Sequence, residues 1–193
     1  MKLLSLFFLI TFSSLHAEEI TIVKNSLRSS LPLGIAQEKG EIFPQILENK
    51  SNKPISIRIS LSQQRLFVDV GDKCAIMSPI SSGRRPGWTP VGFFKILEKD
   101  EVHRSNIYGN FVDRDNRVIR RGVDARLDSA PTGTHFKGAS MLYFMKITEK
   151  GVGMHVGILP GYPASHGCIR LPLEMAKSIF KTVPLNTPVR VEE

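Results

Sequence analysis

The stretches Met154-His155-Val156-Gly157 and Ser165-His166-Gly167-Cys168-Ile169-Arg170 decide how this chain of 193 residues is interpreted. They place a cysteine directly after a glycine, with one histidine 13 residues before it and a second histidine two residues before it. A cysteine attacks carbonyl groups as a thiolate, and a nearby histidine is the usual base that generates one. The glycine allows a sharp turn, and backbone N–H groups at such a turn can face an oxyanion. The two stretches therefore combine a candidate nucleophile, Cys168, with a candidate base and a candidate oxyanion hole.

The rest of the chain is predicted to be mainly β, with one helix near the C-terminal end. Residues 55–70 alternate between apolar and polar side chains, with a hairpin connection at Ser62-Gln63-Gln64. Further strands are predicted over 74–80, 92–97, 141–147 and 153–158, and at Val189 and Val191. Apolar residues recur at helical spacing over 173–182, just before Pro184. Because this helix follows soon after Cys168, its positive N-terminal end is expected to stabilise a thiolate.

The first 17 residues are typical of a secretory signal peptide, although a buried N-terminal helix is the alternative. Lys2 supplies a basic start, residues 3–12 are nearly all apolar, and Ala17 is a small residue after which cleavage is expected. The apolar run is too short to span a bilayer comfortably. We therefore expect an exported protein of the periplasm or cell wall, without a transmembrane anchor once the signal is removed.

Charge narrows the range of partners. The chain has 26 basic and 18 acidic residues, a net charge of +8, which becomes +7 when Lys2 leaves with the signal. This excess predicts attraction to anionic surfaces such as cell-wall polymers or phospholipid headgroups. The charge alone is compatible with nucleic acid, but we find no nucleic-acid-binding motif and do not expect nucleic acid as a partner.

The predicted organisation has a signal peptide over 1–17, an N-terminal extension over 18–54 and one domain over 55–193. The extension either packs on the domain or stays partly mobile. Within the domain, residues 98–138 contain few apolar runs and many charges, including Arg120 and Arg121. This segment is long for a plain loop, so we expect either a capping lid over the candidate site or a solvated insertion.

These motifs together resemble the L,D-transpeptidase catalytic domain of the YkuD type, over roughly residues 55–191. The resemblance rests first on His155, the nine residues after it, and the run Ser165 to Arg170. It continues upstream in Ile59–Leu66, Ser81-Ser82-Gly83, Thr89-Pro90-Val91-Gly92 and Met141–Met145. The fold that it implies is a mixed, sandwich-like β structure with one helix and a lid-like insertion.

The resemblance also implies a role for each residue of the motif. Cys168 matches the nucleophile, and His155 matches the base, oriented by a backbone carbonyl of Val156 or Gly157. Backbone N–H groups of His166, Gly167 and Cys168 are the expected oxyanion donors. The other positions carry the following expectations: Tyr143 assists that hole or is a core aromatic, Arg170 holds a substrate carboxylate or braces the loop, and Ser165 fixes the loop by hydrogen bonding.

The activity implied by the resemblance is acyl transfer on peptidoglycan stem peptides, without a metal or organic cofactor. Cys168 would form a thioester with release of D-Ala, and a stem amine would then attack to give a 3→3 cross-link. Water, a lysine of an envelope protein or a free D-amino acid are alternative acceptors on the same acyl-enzyme. β-Lactams, carbapenems above all, are expected to acylate Cys168. A catalytically silent wall-binding domain and a thiol protease are the rival interpretations.

The cysteines and histidines also allow two alternative interpretations. His155, His166 and Cys168 are zinc ligands by type, but their spacing matches no familiar finger or metalloprotease helix, so no metal is expected. Cys74 is interpreted as a small buried strand residue, and a Cys74–Cys168 disulfide is the alternative in an oxidising compartment.

Overall fold

The computed structural model describes residues 39–193, which form two mixed β-sheets and two helices. The strands are β1 Glu41–Ile42, β2 Ile55–Ser60, β3 Arg65–Val70, β4 Lys73–Pro79, β5 Gly92–Lys95, β6 Glu98–Val112, β7 Val118–Asp124, β8 His135–Lys146, β9 Gly153–Val156, β10 Ile169–Leu171 and β11 Pro188–Glu192. The helices are α1 Pro44–Glu48 and α2 Leu173–Thr182. The mainly β fold class predicted from the sequence is confirmed.

The first sheet has the strand order β1-β4-β3-β2-β11-β5. Its centre is the hairpin β2–β3, in which Ile57 lies opposite Val68 and Ile59 lies opposite Leu66. All four side chains are almost completely buried, because the alternation of the two strands directs them to one face. The last strand, β11, pairs in parallel with β2 and antiparallel with β5, which closes the C-terminal end of the chain into this sheet.

The second sheet has the order β10-β9-β8-β6-β7 and carries the motif residues. The segment 98–138, expected to be a capping lid or a solvated insertion, consists largely of paired strands. It forms β6, β7 and the beginning of β8, which extend this sheet as paired antiparallel strands. The sequence missed them because their exposed faces lack the apolar alternation that marks a half-buried strand.

Helix α2 confirms the predicted helix, but not its predicted electrostatic role. It buries Met175, Ala176 and Ile179 in the core and ends before Pro184. Strand β10 and the extended residue Pro172 lie between Cys168 and the first helical residue. At about 3.3 Å per extended residue, the helix N-terminus lies more than roughly 10 Å along the chain from Cys168. This separation does not favour stabilisation of a thiolate by the helix dipole, which acts within the first turn, and that expectation stays a prediction.

The described part of the predicted N-terminal extension packs on the domain. Strand β1 pairs with β4, and Ile46 and Leu47 of α1 pack against the core. Gly40 lies so close to Met175 that a Cβ at this position would overlap its sulfur. The predicted signal peptide lies outside the described residues. Within residues 39–193, no helix is long and apolar enough to cross a membrane.

Candidate active site

The pairing of β9 with β10 brings the two motif stretches together. The strands run parallel, with Ile169 beside Met154 and Arg170 beside His155. Cys168 directly precedes β10, so it lies next to the start of β9. Because side chains alternate along a strand, Cys168, Arg170 and His155 share one face of the sheet. The connection over residues 157–168 is about the length that a parallel crossover requires.

His155 is held in the orientation expected of a general base. Its side chain is buried, and Nδ1 donates to the backbone carbonyl of Val156 at 2.7 Å. This hydrogen bond fixes the tautomer in which Nε2 carries the lone pair. Burial lowers the pKa of His155 to about 4, and the charges of Arg170 and His103 act in the same direction. The imidazole is therefore neutral near pH 7 and able to accept a proton.

Cys168 is partly exposed, and its thiol lies 3.8 Å from the carbonyl oxygen of Gly151. Burial raises the pKa of this thiol, while a backbone hydrogen bond from Gly153 and the charge of Arg170 oppose the rise. The resting group near pH 7 is therefore a thiol rather than a thiolate. A neutral base beside a neutral thiol supports transfer of the proton at the moment of attack.

Ser165 fixes the turn that presents Cys168, as the sequence predicted. Its Oγ accepts from the N–H of Gly167 at 3.0 Å and donates to the carbonyl of Cys168. Gly167 has φ +130°, and a Cβ there would lie 2.8 Å from the carbonyl oxygen of Trp88. Only glycine fits this position without strain. The N–H of Gly167 is already bonded to Ser165. Of the three N–H groups expected to face the oxyanion, those of His166 and Cys168 therefore remain.

A loop after β4 braces the turn from the other side. The hydroxyl of Thr89 accepts from the N–H of Gly83 at 2.8 Å and donates to the carbonyl of Gly167 at 2.7 Å. The N–H of Arg84 donates to the carbonyl of Ser165 at 3.0 Å. The markers Ser81–Gly83 and Thr89–Gly92, recognised in the sequence without a role, thus include residues that hold the turn around Cys168.

The ring of His166 lies between two aromatic rings that sequence reasoning missed. Trp88 stacks at 5.6 Å between centroids on the loop side, and Tyr108 of β6 stacks at 4.4 Å. Nε2 of His166 lies 3.0 Å from Nη2 of Arg84, so it accepts from the guanidinium. Burial, then Arg84 and Arg170, lower the pKa of His166. No local pattern could reveal Tyr108, because only the pairing of β6 within the sheet brings it to His166.

Two other predicted site residues have well-defined surroundings. The ring of Tyr143 packs edge-to-face on Phe180 of α2, with centroids 5.5 Å apart, and the residue has φ +55°. This packing favours the core-aromatic interpretation over the oxyanion role. The stem of Arg170 lies across Gly157, where a Cβ would come within 2.6 Å of its Cγ. Its Nη1 reaches the carbonyl of Ile158 at 3.4 Å, so the guanidinium stays beside the crossover.

The remaining sulfur and metal alternatives find no support in the described part of the chain. Both cysteines are free, and Cys74 lies on β4, where its Sγ donates to the carbonyl of Ile76 at 3.4 Å. Residues 39–193 contain no group of three or more metal-ligating side chains. His166 in particular has its accessible nitrogen facing a guanidinium, which repels a cation.

Comparison with known proteins identifies the family of this domain. The sequence model of the L,D-transpeptidase catalytic domain matches residues 54–191. No curated protein matches the chain. An L,D-transpeptidase from Mycobacterium smegmatis has a similar structure at 20% identity and a TM-score of 0.55, covering 73% of this chain and 59% of that one.

Two further solved structures share the fold. The L,D-transpeptidase LdtMt1, solved with imipenem, is 20% identical with a TM-score of 0.53, covering 72% of this chain and 59% of that one. The Ldtfm–avibactam carbamoyl enzyme is 25% identical with a TM-score of 0.52, covering 73% and 49%. This chain therefore spans less than two thirds of the length of these proteins. The family match covers most of the chain, and the protein described here belongs to the L,D-transpeptidase catalytic domain (YkuD) family.

Proposed function

We propose that this protein is an exported L,D-transpeptidase that transfers an acyl group from a peptidoglycan stem tetrapeptide through a thioester on Cys168. The observation that carries the proposal is the β9–β10 register, which puts Cys168 on one face with a buried, neutral His155. The hydrogen bond from Nδ1 to Val156 leaves Nε2 as the basic atom. The family match supports transpeptidase activity in general, without defining the donor or the acceptor.

The proposed reaction has two balanced halves. Sγ of Cys168 attacks the carbonyl carbon between the third stem residue and D-Ala, and Nε2 of His155 takes the thiol proton. The C–N bond breaks, the proton passes to the departing amine of D-Ala, and a thioester remains. An acceptor amine then attacks the thioester, gives its proton to His155 and forms the new amide. The Cys168 thiolate that leaves regains a proton from His155.

Backbone groups supply the stabilisation that the tetrahedral intermediates need. The N–H groups of His166 and Cys168 lie in the turn that Ser165 and Thr89 hold in place. Donors fixed before the reaction stabilise a developing oxyanion without a cost in reorganisation. Peptidoglycan stems are the proposed donors, a stem amine is the proposed acceptor, and the cell wall or periplasm is the proposed location. No metal or organic cofactor takes part in the proposed steps.

The acceptor distinguishes the variants of this proposal. Water gives an L,D-carboxypeptidase, a lysine of an envelope protein gives an anchoring enzyme, and a free D-amino acid gives an exchange enzyme. Incubation of the mature protein with purified tetrapeptide stems, followed by mass spectrometry, separates dimers, trimmed tripeptides and exchanged stems. Unchanged stems together with wall binding would support a silent binding domain instead.

Covalent labelling tests the nucleophile directly. Exposure to a carbapenem should add one adduct to the intact mass, and the adduct should be absent from Cys168→Ala. Two structural neighbours are an imipenem complex and an avibactam carbamoyl enzyme, which makes these compounds suitable probes. Cys74→Ala is the matched control and should label like the wild type. An adduct that persists in Cys168→Ala would overturn the assignment.

A further inference from the structure

The arginines around the candidate site differ in whether their charge is already paired. Arg126 forms an ion pair with Asp124, and Arg120 forms one with Asp128. Within the described residues, by contrast, no carboxylate forms an ion pair with Arg84 or Arg170. The charges of both arginines beside the Cys168 turn are therefore available to a ligand.

Arg84 is exposed, yet both its backbone and its side chain are held. Its N–H donates to the carbonyl of Ser165, which ties the residue to the turn that contains Cys168. Its Nη2 lies 3.0 Å from Nε2 of His166, and its guanidinium lies 5.0 Å from the ring centroid of Trp88. A guanidinium carries five N–H donors, and the His166 contact engages one side of it. The other donors remain able to form the paired hydrogen bonds that a carboxylate accepts.

Arg170 adds a second positive charge near His166. Its stem lies across Gly157, and it occupies the position beside His155 in the sheet register. The charges of both arginines lower the pKa of His166, so both guanidiniums are close to that ring. The surface next to Cys168 is thus positive, preorganised by backbone and stacking contacts, and suited to an anionic group of the substrate.

We propose that Arg84, seated against His166 and Trp88, binds the free α-carboxylate of the residue that departs when Cys168 attacks. This inference rests on the proposed function. The departing D-Ala carries its carboxylate one carbon away from the nitrogen of the broken amide. Its contact with His166 holds the Arg84 guanidinium two residues from Cys168. Arg84 therefore distinguishes the last amide of a peptide, which is followed by a carboxylate, from an internal amide. Amides followed by a further residue, or by a neutral terminus, lack the charge at that point.

Peptide binding is measured at equilibrium on the mature protein carrying Cys168→Ala, which lacks the thiol that forms the thioester. The affinities then report recognition of the peptide without the chemical step. Two ligands are compared, a stem tetrapeptide ending in D-Ala carboxylate and the same peptide ending in the carboxamide. The parent protein should bind the carboxylate form about tenfold more tightly, the size of one charge-assisted hydrogen bond. Arg84→Ala should bring the two affinities to within about twofold, and Arg84→Gln should do the same with the loop fold retained.

Arg85→Ala is the matched control. Arg85 belongs to the same loop and lies 5.1 Å from the centroid of the same Trp88 ring, without the hydrogen bond to His166. It should keep the carboxylate preference of the parent. Equal preference in the Arg84 variants and the parent, or no preference in the parent, would overturn the inference.

A separate turnover measurement distinguishes this failure from failure of the proposed function. Wild-type protein that forms neither a thioester nor a product from the tetrapeptide contradicts the proposed function, whatever the binding preference. Wild-type protein that turns over the tetrapeptide, with kcat/KM equally reduced for both ligands in Arg84→Ala, contradicts the recognition role alone.

Discussion

At the scale of single residues, the candidate site combines two uncharged groups. Burial raises the pKa of Cys168 and lowers the pKa of His155 to about 4, so each shift favours the neutral form. An ion pair would be costly to keep here, because a buried charge loses its hydration. Near pH 7 the candidate nucleophile is therefore mainly a thiol and the candidate base is mainly neutral imidazole.

The buried histidine should make stability depend on pH. The native pKa of His155 is about 4, against an ordinary value of 6.5, so the unfolded chain binds more protons between these values. The free energy of unfolding should fall as the pH drops through this window, by up to about 3 kcal/mol. Denaturant unfolding at about pH 7 and about pH 4.5 measures the fall.

Two histidine variants test whether His155 causes the fall in the free energy of unfolding. His155→Gln removes the titrating group and should show a clearly smaller fall than the wild type. His135→Gln alters an exposed histidine and should retain the full fall. An identical pH dependence in wild type and His155→Gln would show that the buried histidine contributes nothing measurable to acid destabilisation.

Gly167 should be far more sensitive to alanine than another glycine of the same crossover. Gly167 and Gly161 both have positive φ, +130° and +91°, so alanine is strained at either position. A Cβ at Gly167 also meets the Trp88 carbonyl, whereas nothing lies within 4 Å of a Cβ at Gly161. We expect Gly167→Ala to lower the rate of Cys168 labelling by a carbapenem at least tenfold, and Gly161→Ala to leave it within about twofold. Equal labelling of both variants would contradict the importance of this close approach.

At the scale of elements, the strands formed by residues 98–138 supply one wall of the site. Tyr108 of β6 stacks on His166, and its hydroxyl accepts from Nη2 of Arg126 at 3.3 Å. Hydrogen bonding to Arg126 lowers the pKa of Asp124 to about 2, so this ion pair persists at any ordinary pH. The segment therefore contacts the candidate site through ordered strands.

Removal of the Tyr108 ring should impair substrate use without impairing the thiol. Aromatic pairs contribute about 0.5–1.5 kcal/mol beyond their buried area. Tyr108→Ala should accordingly lower kcat/KM for a stem donor by roughly threefold to tenfold, because His166 and Arg84 lose their alignment. Tyr108→Phe keeps the stacked ring and should stay within about twofold of the wild type. Reaction of Cys168 with a small thiol reagent should be unchanged in both, and a slower reaction in Tyr108→Ala would contradict this division of roles.

Arg120 and Arg121 belong to this segment, for which a capping lid is one of the two expected roles. On that interpretation, replacement of both by alanine should weaken donor use and raise the ratio of hydrolysis to transfer. Arg120 is engaged with Asp128, whose other oxygen accepts from the N–H of Asp124 at 2.8 Å. Any effect of the Arg120 substitution therefore includes a loosened end of β7, and the product ratio is best measured in Arg121→Ala alone.

At the scale of the whole molecule, the two thiols belong to different sheets. Cys74 lies in β4 of the first sheet, and Cys168 directly precedes β10 of the second. Burial and the charge of Asp69 raise the pKa of Cys74, which has no histidine base beside it in the described structure. Thiol titration of the native protein should find Cys168 reactive and Cys74 slow.

The same arrangement predicts reversible loss of activity on mild oxidation. If Cys168 is the nucleophile, its accessible thiol is open to sulfenic acid formation, which a thiol reductant reverses. Cys74→Ala should lose and regain activity like the wild type. Recovery of a peptide linking Cys74 to Cys168 from active enzyme would contradict two independent thiols.

The sequence by itself determined the family and the local elements. Alternation in 55–70 and helical spacing over 173–182 reflect burial that acts within a few residues, so these elements followed from the pattern. The motif around Cys168 supplied the family, the candidate base and the role of Ser165, because turn chemistry is local. The tertiary structure decided what depends on pairing between distant segments. Only strand register places Tyr108 on His166, and only packing buries His155 and raises the pKa of Cys168. Burial and charge proximity are properties of the assembled fold, and they have no counterpart in the order of residues along the chain.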